Sequence, residues 1–422
     1  MDGHTPAPGL QKIPVSNLVL GMYVAELDRP WLDSPYPIQG FYVRSEINIR
    51  KLAEECSFVY VDPRRYDTRI VDVDLQVVPQ GKSERKPRDN VVRLKSARPR
   101  RPKTYRDSVE IREELVPAQT SLEDAVDVMK SVVDKLQKTG GIQFEDIETA
   151  IKPLVNSVMR NKVAIAALLR IRSLGEYSYA HALACAVWAA LLARELGFSR
   201  SDIDRLAMGC SLLDIGKVQI PTELLESPEP LTPDQWTIMH THVDAGLELA
   251  KEAGVEDAII LQMLKTHHER HDGSGYPQGL QGNAIPVFGR IAGIVDSYDA
   301  MISERPYSKA ISSFAAIRAL QSRADELYQE EIVEHFIKAI GVFPAGTIVE
   351  LNTGEVAVVV SQNGAWRLKP KVMLILEENK QIRTKFVVID LASTGGRASP
   401  TIWITKEHPA HAFGIDPGKY FL

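Results

Sequence analysis

The chain has 422 residues, 44% of them hydrophobic, and a formal net charge of -5 at neutral pH. That length and apolar content support two or three domains with sizeable cores, and the mildly acidic balance gives no general reason to expect DNA as a partner. No apolar run reaches the roughly 18 residues of a membrane span and no secretory leader is visible, while Cys56, Cys185 and Cys210 are too scattered for a zinc ribbon or a thioredoxin-type pair; reduced thiols in a cytoplasmic protein are expected.

Residues 1–80 read as a small mixed α/β domain. Ile13-Pro14-Val15 and Leu18 to Ala25 look like strands, Ile47 to Cys56 has helical spacing, and Phe58 to Val61 is a short strand. Residues 81–106 then carry eleven Lys/Arg, from Lys82 to Arg106, against Glu84 and Asp89. Interrupted by prolines, this stretch reads as a solvated basic linker, with an arm for an acidic partner as the alternative.

From 107 to 342 the spacing is helical. Ala164 to Arg172 and His181 to Leu196 repeat apolar residues every three or four positions, and Ser201 is the expected N-cap of the next helix, with Asp204 in its first turn. From 343 to 422 the pattern becomes alternating: Thr347 to Leu351, Val356 to Val360 and Val372 to Leu376, with Asn352-Thr353-Gly354 as a hairpin turn. The predicted fold class is therefore mainly α, with a β-rich C-terminal extension. Gly216-Lys217 lacks the surrounding residues of a phosphate-binding Walker loop.

Six of the ten histidines fall between His181 and His271, and the stretch from His267 to Pro277 joins a His-His pair to a glycine-rich turn carrying Tyr276. Neutral imidazole is a common metal ligand. Asp214 and Asp296 sit in apolar helical segments, where an unpaired carboxylate is costly. Carboxylates near clustered imidazoles point to metal. The plainer alternatives are a satisfied core histidine for His181, an N-cap or ion-pair partner for Asp214, and a turn aromatic for Tyr276. His271 reads as a loop residue, and His240, two positions from His242, points to another side of a helix.

His267-His268-Glu269 followed by Asp272-Gly273-Ser274-Gly275-Tyr276-Pro277 resembles the HD-GYP domain, a branch of the HD metal-dependent phosphohydrolases. The resemblance spans about residues 165–340 of the helical region. It includes Leu213-Asp214-Ile215-Gly216-Lys217, His242-x-x-x-Gly246, Arg290-Ile291, Asp296-x-x-Asp299-Ala300 and Arg305-Pro306-Tyr307. It implies an all-helical catalytic domain that hydrolyses cyclic di-GMP to linear pGpG and on to GMP, using two divalent ions, iron or manganese. The small N-terminal domain resembles one that often precedes such domains.

By motif position, His242, His267 and His268 hold one ion, His181 and Asp296 the other, and Asp214 bridges them. Asp214 and Lys217 are the catalytic candidates. Lys217, Tyr276 and Arg305 are the substrate contacts. The Gly-Tyr-Pro loop lines the substrate groove and offers a docking surface to GGDEF-domain proteins; a homodimer and no membrane association are also implied. Two departures stand out. Leu213 occupies the position of a histidine ligand, and Tyr177 that of a glutamate four residues before His181, with Glu176 about 100° away on the helix, so a third ion is not expected. Ser308 follows Tyr307 where a lysine is common, with Lys309 one later. Leu213 keeps open an alternative, a catalytically inactive receptor for cyclic di-GMP or a protein-interaction module; a phosphohydrolase acting on another nucleotide is a further one.

Overall fold

A computed structural model describes residues 10–29, 40–43, 46–66, 103–139, 141–171, 177–305, 308–363, 366–394, 401–409 and 412–421. The chain divides into two units, residues 1–95 with 363–369, and residues 96–362 with 370–422.

In the first unit, β1 (Gln11–Pro14), β2 (Met22–Leu27), β3 (Phe41–Tyr42) and β4 (Phe58–Tyr66) form an antiparallel sheet in the order β1-β4-β2-β3. Helix α1 (Glu46–Glu55) adds Leu52 to a core of Val15, Leu18, Val24, Leu27, Val43, Val59 and Val61. The second strand was expected from Leu18. It begins at Met22 because a 3-10 turn at Val15–Asn17 and a left-handed Gly21 (φ 89°) redirect the chain first.

Of the basic stretch, residues 81–102 lie outside the described residues. Its end is attached to the second unit: the Lys103 N–H donates to Gly197 O (2.9 Å) and the Tyr105 hydroxyl to Phe198 O (2.7 Å).

The second unit contains α2 (Ile111–Thr139), α3 (Phe144–Arg160), α4 (Ala164–Ile171), α5 (Tyr177–Glu195), α6 (Arg200–Ser211), α7 (Thr222–Leu225), α8 (Pro233–His240), α9 (His242–Glu252), α10 (Ala258–Thr266), α11 (Val287–Ile302), α12 (Ser313–Ser322) and α13 (Glu330–Ile340). Helix α5 is apolar on nearly every side, as a helix surrounded by others must be. It packs on α6, α11, α13 and α3, and Leu183, Val187, Trp188 and Leu192 are fully buried. Among its described residues, His181 and, near its end, Arg194 are the buried polar and charged exceptions. The N-cap of α6 is Ser199, not Ser201: the Ser199 hydroxyl accepts from the Asp202 N–H. Both serines had a carboxylate three residues on, and the earlier one won.

Strands β5 (Ile348–Leu351), β6 (Val356–Ser361), β7 (Lys371–Leu376), β8 (Ile382–Asp390) and β9 (Ile404–His408) form an antiparallel sheet in the order β8-β7-β6-β5-β9. The expected hairpin turn is present, with Gly354 at φ 82° and the Leu351 N–H donating to Glu355 O. Glu407 on β9 ties this sheet to the helices. Its carboxylate accepts from the Ser313 and Phe314 N–H groups at the start of α12, each at 3.0 Å, where the helix end favours an anion. Among the described residues no helix is long and apolar enough to cross a membrane.

Candidate metal centre

Five segments converge beneath the Gly-Tyr-Pro loop. Helix α5 supplies His181, the turn after α6 supplies Asp214, α9 opens with His242, His267 and His268 follow α10, and α11 supplies Asp296. Asp214 is not within an α-helix, as its apolar surroundings suggested. It precedes a 3-10 turn, Ile215–Gln219, and caps nothing with its side chain. That turn lies directly on α9. A Cβ on Gly216 would stand 2.0 Å from His242 O and 2.5 Å from Gly246 N, so only glycine permits the approach that brings Asp214 to His242.

Asp214, His242, His267 and His268 form one group of possible ligands. The His242 and His268 Nε2 atoms face each other at 3.2 Å, and Asp214 Oδ1 is 3.7 Å from His242 Nε2. His242 Nδ1 is held by Met239 O (2.7 Å) and His267 Nδ1 by Leu264 O (2.8 Å), which places the proton on Nδ1 and leaves Nε2 as a lone pair. His267 Nε2 and Asp214 Oδ1 are buried with no hydrogen-bond partner. Burial pushes His267 down to about 4 and holds His242 and His268 below the ordinary imidazole range. Neutral imidazoles, an orphaned nitrogen and an orphaned carboxylate oxygen are the donor set a divalent cation requires.

A second group lies on the other side of Asp214. His181, buried, has Nε2 3.1 Å from Asp296 Oδ1 and 3.6 Å from Asp214 Oδ2. The two Asp214 oxygens thus face different groups, the arrangement of a bridging carboxylate. Asp299, one turn after Asp296, accepts from His181 Nδ1 (2.7 Å) and from Trp188 Nε1 (3.0 Å), so it fixes the tautomer that turns the His181 Nε2 lone pair inward. Burial opposes ionisation of Asp296, yet its hydrogen bond to His181 and the surrounding imidazoles keep the carboxyl well below its usual range. For Asp214, burial is likewise outweighed, chiefly by the Lys217 ammonium at 2.5 Å.

Tyr276 stacks on His268 (centroids 4.6 Å apart, planes at 26°) and on His240 (3.7 Å, 17°). His240 ends α8 and His242 begins α9, so the two are separated by a helix break at Thr241 and not by rotation around one helix. The loop is braced from below by Glu269, whose two buried oxygens each accept a backbone N–H, from Gln278 and Leu280, both at 2.8 Å. His271 belongs to neither ligand group. Arg305 lies past the end of α11, its main chain paired in both directions with Ser308, and Lys309 is exposed. Pro306, Tyr307, Glu176 and the Tyr177 side chain lie outside the described residues. Leu213 is 2% exposed and apolar, so it adds no donor.

Residues 162–332 match the family model of the HD domain, 10–147 that of a domain of unknown function (DUF3391), and 348–396 that of a KOW domain associated with HD domain. Over 408 residues the chain is 28% identical to cyclic di-GMP phosphodiesterase PA4108 of Pseudomonas aeruginosa, covering 96% of this chain and 94% of that one. It is 39% identical over 151 residues to a cyclic di-GMP phosphodiesterase of Thermotoga maritima, covering 35% of this chain and 40% of the relative. The chain belongs to the HD-GYP family. The match to 3'3'-cGAMP-specific phosphodiesterase 2 of Vibrio cholerae is 32% over 200 residues, 46% of this chain and 37% of the relative. An HD domain implies divalent metal binding, and the donor groups of this HD-GYP chain fit it.

Two features of this HD-GYP site were not read from the sequence. Asp299 was seen only as part of a motif, and its tie to His181 spans 118 residues. Cys185 was read only as a reduced thiol, yet it stands with His181 and Asp296 in the second group. The signal for it was its place one helical turn after His181.

Proposed function

We propose that the chain is a metal-dependent phosphodiesterase that opens cyclic di-GMP to linear pGpG. The observation that carries this reading is the pair of donor groups sharing Asp214, set under a loop whose aromatic, Tyr276, stacks on a ligand histidine. Asp214, His242, His267 and His268 hold one ion; His181, Asp296 and Asp214 hold the other. The nitrogen-rich first group suits iron or manganese. When bound, two such ions neutralise phosphate charge and activate a water for attack.

The chain's own groups do the rest. Asp299 and the main-chain oxygens of Met239 and Leu264 hold the imidazoles in one tautomer, so no proton has to leave a ring nitrogen before it binds. Lys217, 29% exposed beside Asp214, presents its ammonium to a phosphate oxygen. Tyr276 keeps its proton, because burial pushes the phenol above its ordinary range, and it orients substrate as a neutral donor. Arg305 binds a second phosphate. The exposed rim of the loop, with Asp272, Ser274 and Gln278, is the surface open to a GGDEF-domain protein.

The test is anaerobic purification followed by metal analysis and product analysis on one sample, with cyclic di-GMP and 3'3'-cGAMP as alternative substrates. Two ions per chain and conversion of cyclic di-GMP to pGpG are expected. Binding of cyclic di-GMP without turnover at two ions per chain would instead establish the receptor reading that Leu213 favours.

Asp299→Asn tests the orienting contact. An amide cannot accept from both Trp188 and the His181 Nδ1–H as the carboxylate does. Affinity for one of the two ions is expected to fall about 10–100-fold, the range for such outer contacts, with the other ion unaffected in calorimetric titration. Equal weakening of both ions would show that Asp299 acts on the fold and not on His181.

A further inference from the structure

Helix α8 buries none of its eight residues. A helix that short gains little from its own hydrogen bonds, so its start is tied down: Pro233 opens it, and Thr232 and Gln235 form a reciprocal capping box. What it holds out is an aromatic ring. Trp236 is 48% exposed, whereas Trp188, Trp366 and Trp403 are buried or half-buried. An indole left in water forgoes the large apolar burial it usually supplies. Trp236 precedes His240 by one turn, and the two rings lie 5.6 Å apart with their planes at 54°. His240 stacks on Tyr276, and Tyr276 on His268. Four rings thus run from a candidate ligand out to solvent. The imidazoles stacked on Tyr276 leave a substrate its edge and hydroxyl, and Trp236 is the ring in the row that is still exposed.

We propose that Trp236, backed by His240, is a stacking platform for one purine base of the cyclic dinucleotide, a subsite outside the metal centre that reads a base by its face and not by its edges. The proposal rests on the phosphodiesterase reading above. In such a substrate a ribose separates each base from the phosphates. A base therefore belongs some way from the ions that take the phosphate, and the row of rings leads outward from His268 to such a place. Stacking on an aromatic face tolerates any base, because every base has a π-face of its own. The platform adds affinity for guanine and adenine alike and leaves their discrimination to other contacts. Trp236 belongs to neither ligand group. Its contact is made equally before and during the chemical step, so it lowers KM without altering kcat.

The test compares Trp236→Ala and Trp236→Phe with the natural protein, each with its metal bound, using cyclic di-GMP and 3'3'-cGAMP as probes. Affinity is read as KM where a probe is turned over, and as a calorimetric dissociation constant where it is only bound. Trp236→Ala should weaken both probes by about tenfold, within the range one stacked base supplies, with kcat and metal stoichiometry unchanged. Trp236→Phe should recover most of the loss. Fluorescence supplies a readout that a structural role would not move: cyclic di-GMP should quench the natural protein, and Trp236→Phe should lose that quenching. Equal affinity in Trp236→Ala and the natural protein overturns the platform and leaves the phosphodiesterase reading intact. Loss of metal or of kcat in Trp236→Ala also overturns it, because the residue would then support the centre. A loss confined to one probe overturns recognition by the face alone. A natural protein that neither binds nor hydrolyses either probe overturns both the platform and the reading beneath it.

Discussion

Asp214→Asn is expected to lower hydrolysis of cyclic di-GMP by at least about a thousandfold and to leave the protein unable to hold two ions together. The carboxylate points one oxygen at His242 and the other at His181. An amide offers a single oxygen and no charge, so it serves one group at most. Losing one ion forfeits charge neutralisation worth several kcal/mol, and about 4 kcal/mol corresponds to roughly a thousandfold in rate. The metal-free variant should be less stable than the metal-free natural protein, because the substitution removes the carboxylate that pairs with Lys217, an attraction that outweighs burial and the repulsion from Asp296. Low activity in a protein that still binds two ions would place the defect in Lys217, which loses its partner, and not in bridging. His271→Ala, outside both groups, should retain activity.

Glu269→Gln is expected to loosen the loop without emptying the centre. The carboxylate accepts two backbone N–H groups in a buried setting. The amide can accept one and turns its own N–H₂ toward the other. The cost is on the order of 2–3 kcal/mol, the worth of one charge-assisted bond plus a stranded donor. Hydrogen exchange should lose protection at Gln278 and Leu280, and KM should rise because Tyr276 is no longer held against His268 and His240. Metal stoichiometry should remain at two. Unchanged exchange at those two amides would mean that the loop is held by other contacts, such as the Tyr276 N–H to His268 O bond.

The division into a small α/β region, a helical domain and a β-rich end was legible because each has its own period of apolar residues. The clustering of the candidate ligand histidines was legible because imidazoles are conspicuous in apolar helices. Less visible were features that depend on chain segments far apart. Cys185 looks like any small apolar residue in α5 until Asp296 arrives beside it from α11. The Asp299–Trp188 contact joins residues 111 apart. The break between His240 and His242 carries no proline or glycine, so one continuous helix was the simpler reading. The pairing of β9 beside β5 could not be anticipated either, since β9 lies far along the chain after β8.

The candidate ligand residues are spread from position 181 to position 296, so a cation held by them would close several long loops of the chain at once. Such a cross-link stabilises the folded state by mass action, about 2.7 kcal/mol for each site when the free ion stands at a hundred times its dissociation constant. On the proposed reading, metal supply should govern how much of the protein survives as well as how fast it works. In a metal-starved cell the helical domain should unfold more often and be cleared by proteases sooner. Its abundance would then report the availability of the ions before any substrate is met.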